Sequence, residues 1–167
     1  MKTENKLKKV KYKVAAFYRF LSILDKDILL IKEELYDLAK KKEIKGTLLI
    51  ATEGVNGTVC GTENAITQFI AKLKQLLRLS DINVKYSWTE KQAFRRFKAR
   101  KKKEIVTIGL KQVNPAKSVG KYIKACEWNE FLEDPDSVVI DTRNEYEIKI
   151  GNFAGALNPH TSSFREF

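Results

Sequence analysis

Thirteen residues in the middle of the chain concentrate most of its ionic chemistry. Between Lys91 and Lys103 stand Lys91, Arg95, Arg96, Lys98, Arg100, Lys101, Lys102 and Lys103, with no acidic residue among them. Eight like charges that close repel one another unless a polyanion neutralises them. Arginine forks grip phosphates through paired N–H donors, and phosphate neutralisation releases counterions whatever the base sequence. Phe94 and Phe97 interleave the arginines. Exposed aromatics in such a run can stack on unpaired bases. Their plainer role is to anchor the segment to a core, and core packing is the expectation for both rings. For the cations the expectation is contact with RNA or DNA. The bland alternative is an exposed, solvated loop and strand.

Two other stretches have the residue types for a site. Glu53-Gly54-Val55-Asn56-Gly57 contains Asn-Gly, whose residues tolerate positive φ, so a hairpin turn is expected there. Its glycines would also let a ligand or a second backbone come close. Val138-Val139-Ile140-Asp141-Thr142-Arg143 reads as an apolar strand that ends in an ion pair. In open α/β sheets ligand crevices lie at that end of a strand. On physics alone, Asp141 and Arg143 are read as organising the loop that follows, since pairs of this kind often fix structure.

Other chemistries find little support. Cys60 lies in an expected strand and reads as packing, and Cys126 has no neighbour that would clearly favour a thiolate. His160 is the only histidine, so neither a metal-ligand spacing nor a Ser-His-Asp triad can be argued. No phosphate-binding glycine loop or dinucleotide fingerprint occurs. No metal or flavin site is evident.

The charge is unevenly placed. Residues 1–118 hold 27 Lys or Arg against 12 Asp or Glu, whereas residues 119–167 hold 5 against 9. Such a switch from basic to acidic implies two parts with different tasks. Two cysteines are too few for a disulfide framework, which points to a reduced, cytoplasmic protein. The charged N-terminus has no apolar stretch behind it, so no signal peptide is expected, and no apolar run is long enough to span a bilayer.

The elements that must position these residues follow from periodicity. Residues 12–20 read as a buried strand. Asp25 offers an N-cap to a helix over roughly 26–43, with Ile28, Ile31, Leu35 and Leu38 on one stripe and Gly46 ending it. Thr47–Ala51 and Thr58–Cys60 read as strands on either side of the Asn-Gly turn. Thr62 caps a second helix with the stripe Ile66, Phe69, Ile70, Leu73, Leu76 and Leu77. Asn83–Trp88 and then Glu104–Gly109 read as further strands. The order β-α-β-β-α-β is the ferredoxin-like arrangement, an α+β fold with two helices over a four-stranded antiparallel sheet. Asn114-Pro115 breaks the pattern and places a domain boundary near 112–120. Beyond it a short helix over Ala125–Glu133, a turn at Asp134-Pro135-Asp136 and a buried strand over Ser137–Asp141 are expected.

The second part resembles the opening of a rhodanese domain. The matching residues are Val139-Ile140-Asp141-Thr142-Arg143-Asn144-Glu145-Tyr146-Glu147, then Gly151, Phe153 and Gly155-Ala156-Leu157-Asn158-Pro159, with Glu127–Leu132 as the helix that leads in. Phe17–Phe20, Gly46–Ala51, Glu53–Thr58 and Arg95-x-Phe97 resemble the N-terminal domain of the bacterial tRNA uridine hydroxylases, and the two matches together cover nearly the whole chain in order. The resemblance implies a basic ferredoxin-like (acylphosphatase-like) domain over 1–115 and an incomplete rhodanese-like α/β domain over 116–167. It implies 5-hydroxylation of the wobble uridine, position 34, of tRNA, with molecular oxygen as co-substrate. The basic segment would hold the anticodon arm. Rhodanese domains carry a reactive cysteine some tens of residues beyond the Asp-Thr-Arg motif. Here it is expected beyond Phe167, in a further stretch or in a separate polypeptide. The chain is accordingly expected to be inactive alone and marginally stable over 119–167. A sulfurtransferase, which would need that cysteine, and a non-catalytic RNA-binding module are the alternatives.

Overall fold

The computed structural model describes residues 11–105, 120–162 and 166–167. They fall into two compact units that divide after Val106. The boundary expected near 112–120 falls mainly outside the described residues.

The first unit is a five-stranded sheet in the order β4-β1-β3-β2-β5. Its elements are β1 (Tyr12–Phe20), α1 (Asp25–Lys41), β2 (Lys45–Ala51), β3 (Gly54–Gly61), α2 (Glu63–Leu77), β4 (Val84–Thr89) and β5 (Phe97–Lys101). The first four strands pair antiparallel, as the ferredoxin-like expectation requires, and β5 is added parallel to β2. Ile28, Ile31 and Leu35 of α1 and Ile66, Phe69, Ile70, Leu73 and Leu77 of α2 are buried on one face of the sheet. They meet Ala15 and Phe17 of β1, Leu48 and Ile50 of β2, and Val55 and Val59 of β3. Each such side chain contributes roughly 1.5–3 kcal/mol of burial. Thr62 caps α2, accepting from the Ala65 N–H at 3.3 Å.

Three local expectations need correction. Helix α1 begins at Asp25 itself with Leu24 at the N-cap, and the Asp25 carboxylate pairs with Lys101 (2.6 Å). The helix stops at Lys41, and Glu43, not Gly46, takes the left-handed φ of 54°. The hairpin turns at Thr52-Glu53, so Asn56 and Gly57 lie inside β3.

Close backbone approach explains these glycines better than a turn does. A Cβ on Gly57 would stand 2.7 Å from the Phe17 ring and 2.9 Å from the Thr47 carbonyl. Gly54 (φ +147°) and Gly46 (φ +141°) would place theirs 2.1 Å from the Arg19 carbonyl oxygen and 2.2 Å from that of Thr58. The turn also pins other chain segments. The Leu21 N–H donates to the Glu53 carbonyl at 3.0 Å and the Ile23 N–H to the Thr52 carbonyl at 2.9 Å. The Ile105 N–H donates to Glu53 Oε1 at 2.7 Å, and Asn56 Nδ2 donates to the Ile105 carbonyl at 3.3 Å. Glu53 and Asn56 thus hold both backbone groups of Ile105.

The strand expected at Glu104–Gly109 is not found at its described residues, Glu104 and Ile105, and the remainder lies outside the described residues. The strand beside β2 comes earlier, at Phe97–Lys101. Its basic composition hides the alternation that marks it.

The second unit has α3 (Trp128–Glu133), preceded by a single 3-10 turn at Ala125–Glu127, and α4 (Glu145–Ile148). The expected helix and the Asp134–Asp136 turn are present, the turn closed by the Ser137 N–H on the Asp134 carbonyl at 3.1 Å. The expected buried strand is reduced to one parallel bridge, Ile140 with Leu157. Val138 is 68% exposed and Ile140 48%. A parallel strand is buried only when neighbours cover both its faces, and none of the described residues of this unit is buried.

Gly46→Ala and Gly54→Ala should each lower stability by at least about 2 kcal/mol, through overpacking and an unfavourable φ. Gly120→Ala, with nothing within 4 Å of its Cβ, serves as the control. Thermal denaturation followed by circular dichroism measures the difference. Equal midpoints for the three variants would contradict the packing described.

Candidate nucleic-acid interface

Strand β5 sorts its cations by alternation. Phe97 and Ala99 pack against the helix-covered core. The Phe97 ring lies 5.8 Å from that of Phe69 and 6.1 Å from that of Tyr36. Successive strand side chains point to opposite faces, so Lys98 and Arg100 stand on the face without helices. They lie beside Thr47 and Leu49 of β2, their register partners. Lys101 has the parity of Phe97 and reaches the helix side, where its Nζ lies 2.6 Å from Asp25 Oδ1. The structure therefore separates Lys101 from its neighbours in sequence. Lys102 and Lys103 follow the strand and are exposed, with the Lys102 N–H still donating to the Ile50 carbonyl at 2.8 Å.

The loop before β5 carries the rest. Lys91 follows β4 and its carbonyl accepts from Thr89 Oγ1 at 3.1 Å. Arg95 and Arg96 are exposed, and the Gly46 N–H donates to the Arg96 carbonyl at 3.1 Å, which sets where the parallel ladder begins. Thr47, Ala93, Phe94, Arg95, Arg96 and Lys98 enclose a hollow of about 580 Å³. No ion pair is formed by Arg95, Arg96, Lys98 or Arg100 among the described residues. Phe94 departs from expectation. It is half-buried and lines this hollow, outside the cluster that Phe97 joins. Phe94 precedes β5, so strand alternation does not direct it inward.

The second unit brings Asp141 and Arg143 together as read from the motif. Arg143 Nη2 lies 2.6 Å from Asp141 Oδ2 and also donates to the Gly151 carbonyl at 2.7 Å. Arg143 thus ties the strand end to the loop that follows α4, which is the organising role. Hydrogen bonding from Arg143 holds the Asp141 carboxyl below the usual aspartate range. Glu145 accepts from Asn158 Nδ2 at 2.9 Å and faces His160 Nδ1 at 2.9 Å, and these contacts lower its pKa in that order. Trp128 stacks on Phe153 with centroids 5.0 Å apart. Together with Asp141 and Arg143 these rings border a hollow of about 590 Å³. Cys60 is buried in β3 and Cys126 is exposed. Among the described residues no group of three His, Cys, Asp or Glu side chains could hold a metal, and no helix is long and apolar enough to cross a membrane.

The pattern of the first unit is matched by a known family model. Residues 12–105 match the family described as the UPF0176 acylphosphatase like domain, over more than half of the chain. The chain belongs to this family. A relative from Prochlorococcus marinus strain NATL2A, named tRNA uridine(34) hydroxylase, is 78% identical over all 167 residues of the chain, which cover 52% of that relative. A second of the same name, from strain MIT 9303, is 47% identical over 156 residues, or 93% of the chain and 50% of the relative. The chain spans about half the length of these relatives. The family expected from the motifs is thus the one found. An acylphosphatase from Coxiella burnetii is 13% identical with a TM-score of 0.40, covering 57% of this chain and 99% of its own. So loose a likeness carries no argument, and the ferredoxin-like assignment rests on strand order.

A lowered carboxyl pKa means that the Asp141–Arg143 contact is present above the usual aspartate range and is lost as pH falls through the lowered value. Arg143→Met should therefore raise the Asp141 titration midpoint, read from side-chain carboxyl NMR shifts. An unchanged midpoint would remove Arg143 as the cause.

Proposed function

We propose that this chain is the RNA-holding part of a tRNA wobble-uridine hydroxylase, with Arg95, Arg96, Lys98 and Arg100 as its principal phosphate contacts. The observation that supports the reading most directly is this group of cations, free of carboxylate partners among the described residues, gathered at the β5 edge and on the sheet face away from the helices. Lys91, Lys102 and Lys103 extend the surface, while Lys101 braces β5 to α1 through Asp25. Such contacts position a nucleic acid without reading its sequence. The relatives' name supports tRNA, at uridine 34, as the substrate. In this reading the basic domain, over about residues 1–115, grips the anticodon arm in the cytoplasm. Molecular oxygen is the co-substrate for the new hydroxyl at C5 of the base. The rhodanese-like part begins with the Asp141–Arg143 motif and is completed by residues equivalent to the half of the relatives that this chain does not span, in the same or a separate polypeptide.

The chain should bind tRNA with an affinity that falls steeply as salt rises. Changing Arg95, Arg96 and Lys98 together to Ala should flatten the slope of log affinity against log salt by roughly 2–3. A flat response in the unchanged chain, or an unchanged slope in the variant, would sink the reading of these cations as phosphate ligands. In cells lacking the hydroxylase, the 167-residue chain alone should leave uridine 34 unmodified, as read by mass spectrometry of tRNA nucleosides. Hydroxylation by the chain alone would show that its own residues carry the chemistry.

A further inference from the structure

The hollow beside β5 differs in make-up from the rest of the cationic surface. Its lining combines Arg95, Arg96 and Lys98 with Thr47 and Phe94, and contains no carboxylate. A second hollow, of about 370 Å³, shares Arg95 and Arg96 but lies against α1 and is also lined by Lys40, Lys45 and Glu43. Both linings carry a surplus of positive charge, but only the second includes a carboxylate. The first, at about 580 Å³, is within the size range of small-ligand sites.

The aromatic ring needs its own explanation. Phosphate contacts require donors and cations, not an aromatic wall. Anchoring of the segment is already accomplished by Phe97, which is packed between the rings of Phe69 and Tyr36. Phe94 is outside that cluster and half-buried, beside three cations. Proteins that hold single strands pair these two components, a positive groove for the backbone and an aromatic face for a base.

We propose that this hollow is a subsite for one unstacked nucleotide of single-stranded RNA, whose base lies on the Phe94 ring while its phosphates meet Arg95, Arg96 and Lys98. The subsite deepens the RNA-holding role and rests on it. A duplex keeps its base faces stacked and hidden, so the subsite favours an unpaired loop over a helical stem. The wall residues divide the work: cations set affinity through charge, and the ring sets the preference for unpaired bases.

The test uses the full chain and two probes, a short hairpin RNA with an unpaired loop and a blunt duplex of the same stem. Phe94→Leu keeps apolar bulk and removes the aromatic face. It should weaken hairpin binding by about fivefold or more. The salt slope should stay the same, since no charge is lost, and duplex binding should be unaffected. Arg96→Ala should weaken both probes and flatten the slope by about one. Phe94→Trp should retain hairpin binding, and its added emission should be quenched by the hairpin and not by the duplex. This second variant keeps the test decisive if Phe94→Leu fails to fold. Hairpin binding unchanged in Phe94→Leu, an equal loss on both probes, or no selective quenching in Phe94→Trp would overturn the subsite while Arg96→Ala still weakens binding. If the unchanged chain binds neither probe, the RNA reading itself fails.

Discussion

Strand β5 is held in the sheet by apolar contacts while Lys98 and Arg100 have no carboxylate partner among the described residues. Phe97 supplies the attachment, through Phe69 and Tyr36, and the parallel ladder with β2 fixes the register. Once Phe97 and Ala99 face the core, alternation leaves Lys98 and Arg100 only the opposite face. Lysines on an edge strand also guard against pairing with another sheet. That role accounts for an exposed β5. It does not account for Arg95 and Arg96, which precede the strand and wall a hollow with Phe94. Nor does it require Lys101 to be neutralised by Asp25 while its neighbours across the strand are not.

Much of the first unit was legible because helices announce themselves by period. The stripes of α1 and α2 are unambiguous, and the strands that alternate with them leave few topologies besides β-α-β-β-α-β. What misled was punctuation. Asn56-Gly57 has the chemistry of a turn, yet Gly57 is small because the Phe17 ring lies against it, and Asn56 holds Ile105. Gly46 follows a helix and looks like its stop, yet it is needed where β2 crosses close to Thr58. A glycine records that something comes near or that φ is positive, and the sequence does not say which. Strand β5 was missed for another reason. Its inward residues are only Phe97 and Ala99, and the cations around them obscure a period of two.

The cations were legible in composition but not in direction. All eight cations were evident, and their split between faces was not, because that depends on where the strand begins. Lys101 and Arg100 are adjacent in sequence and serve opposite sides of the sheet. The same rule moved Phe94 from the expected core to the wall of the hollow. In the second unit the sequence suggested an Asp141–Arg143 ion pair, and Arg143 also reaches the Gly151 carbonyl, a contact the sequence did not indicate. The strand that leads into it was over-read, because Val138 and Ile140 have the composition of a buried strand without covering layers among the described residues.

The physical claim beneath all this is that Lys98 and Arg100 of β5 and the cations of the loop before it are where polynucleotide lies. Ultraviolet crosslinking of the chain to tRNA, with the attachment points located by peptide mass spectrometry, tests it most directly. The account predicts crosslinks concentrated between Lys91 and Lys103, with Phe94 among them. Crosslinks confined to the outer faces of α1 and α2, or spread evenly over the lysines of the chain, would contradict it.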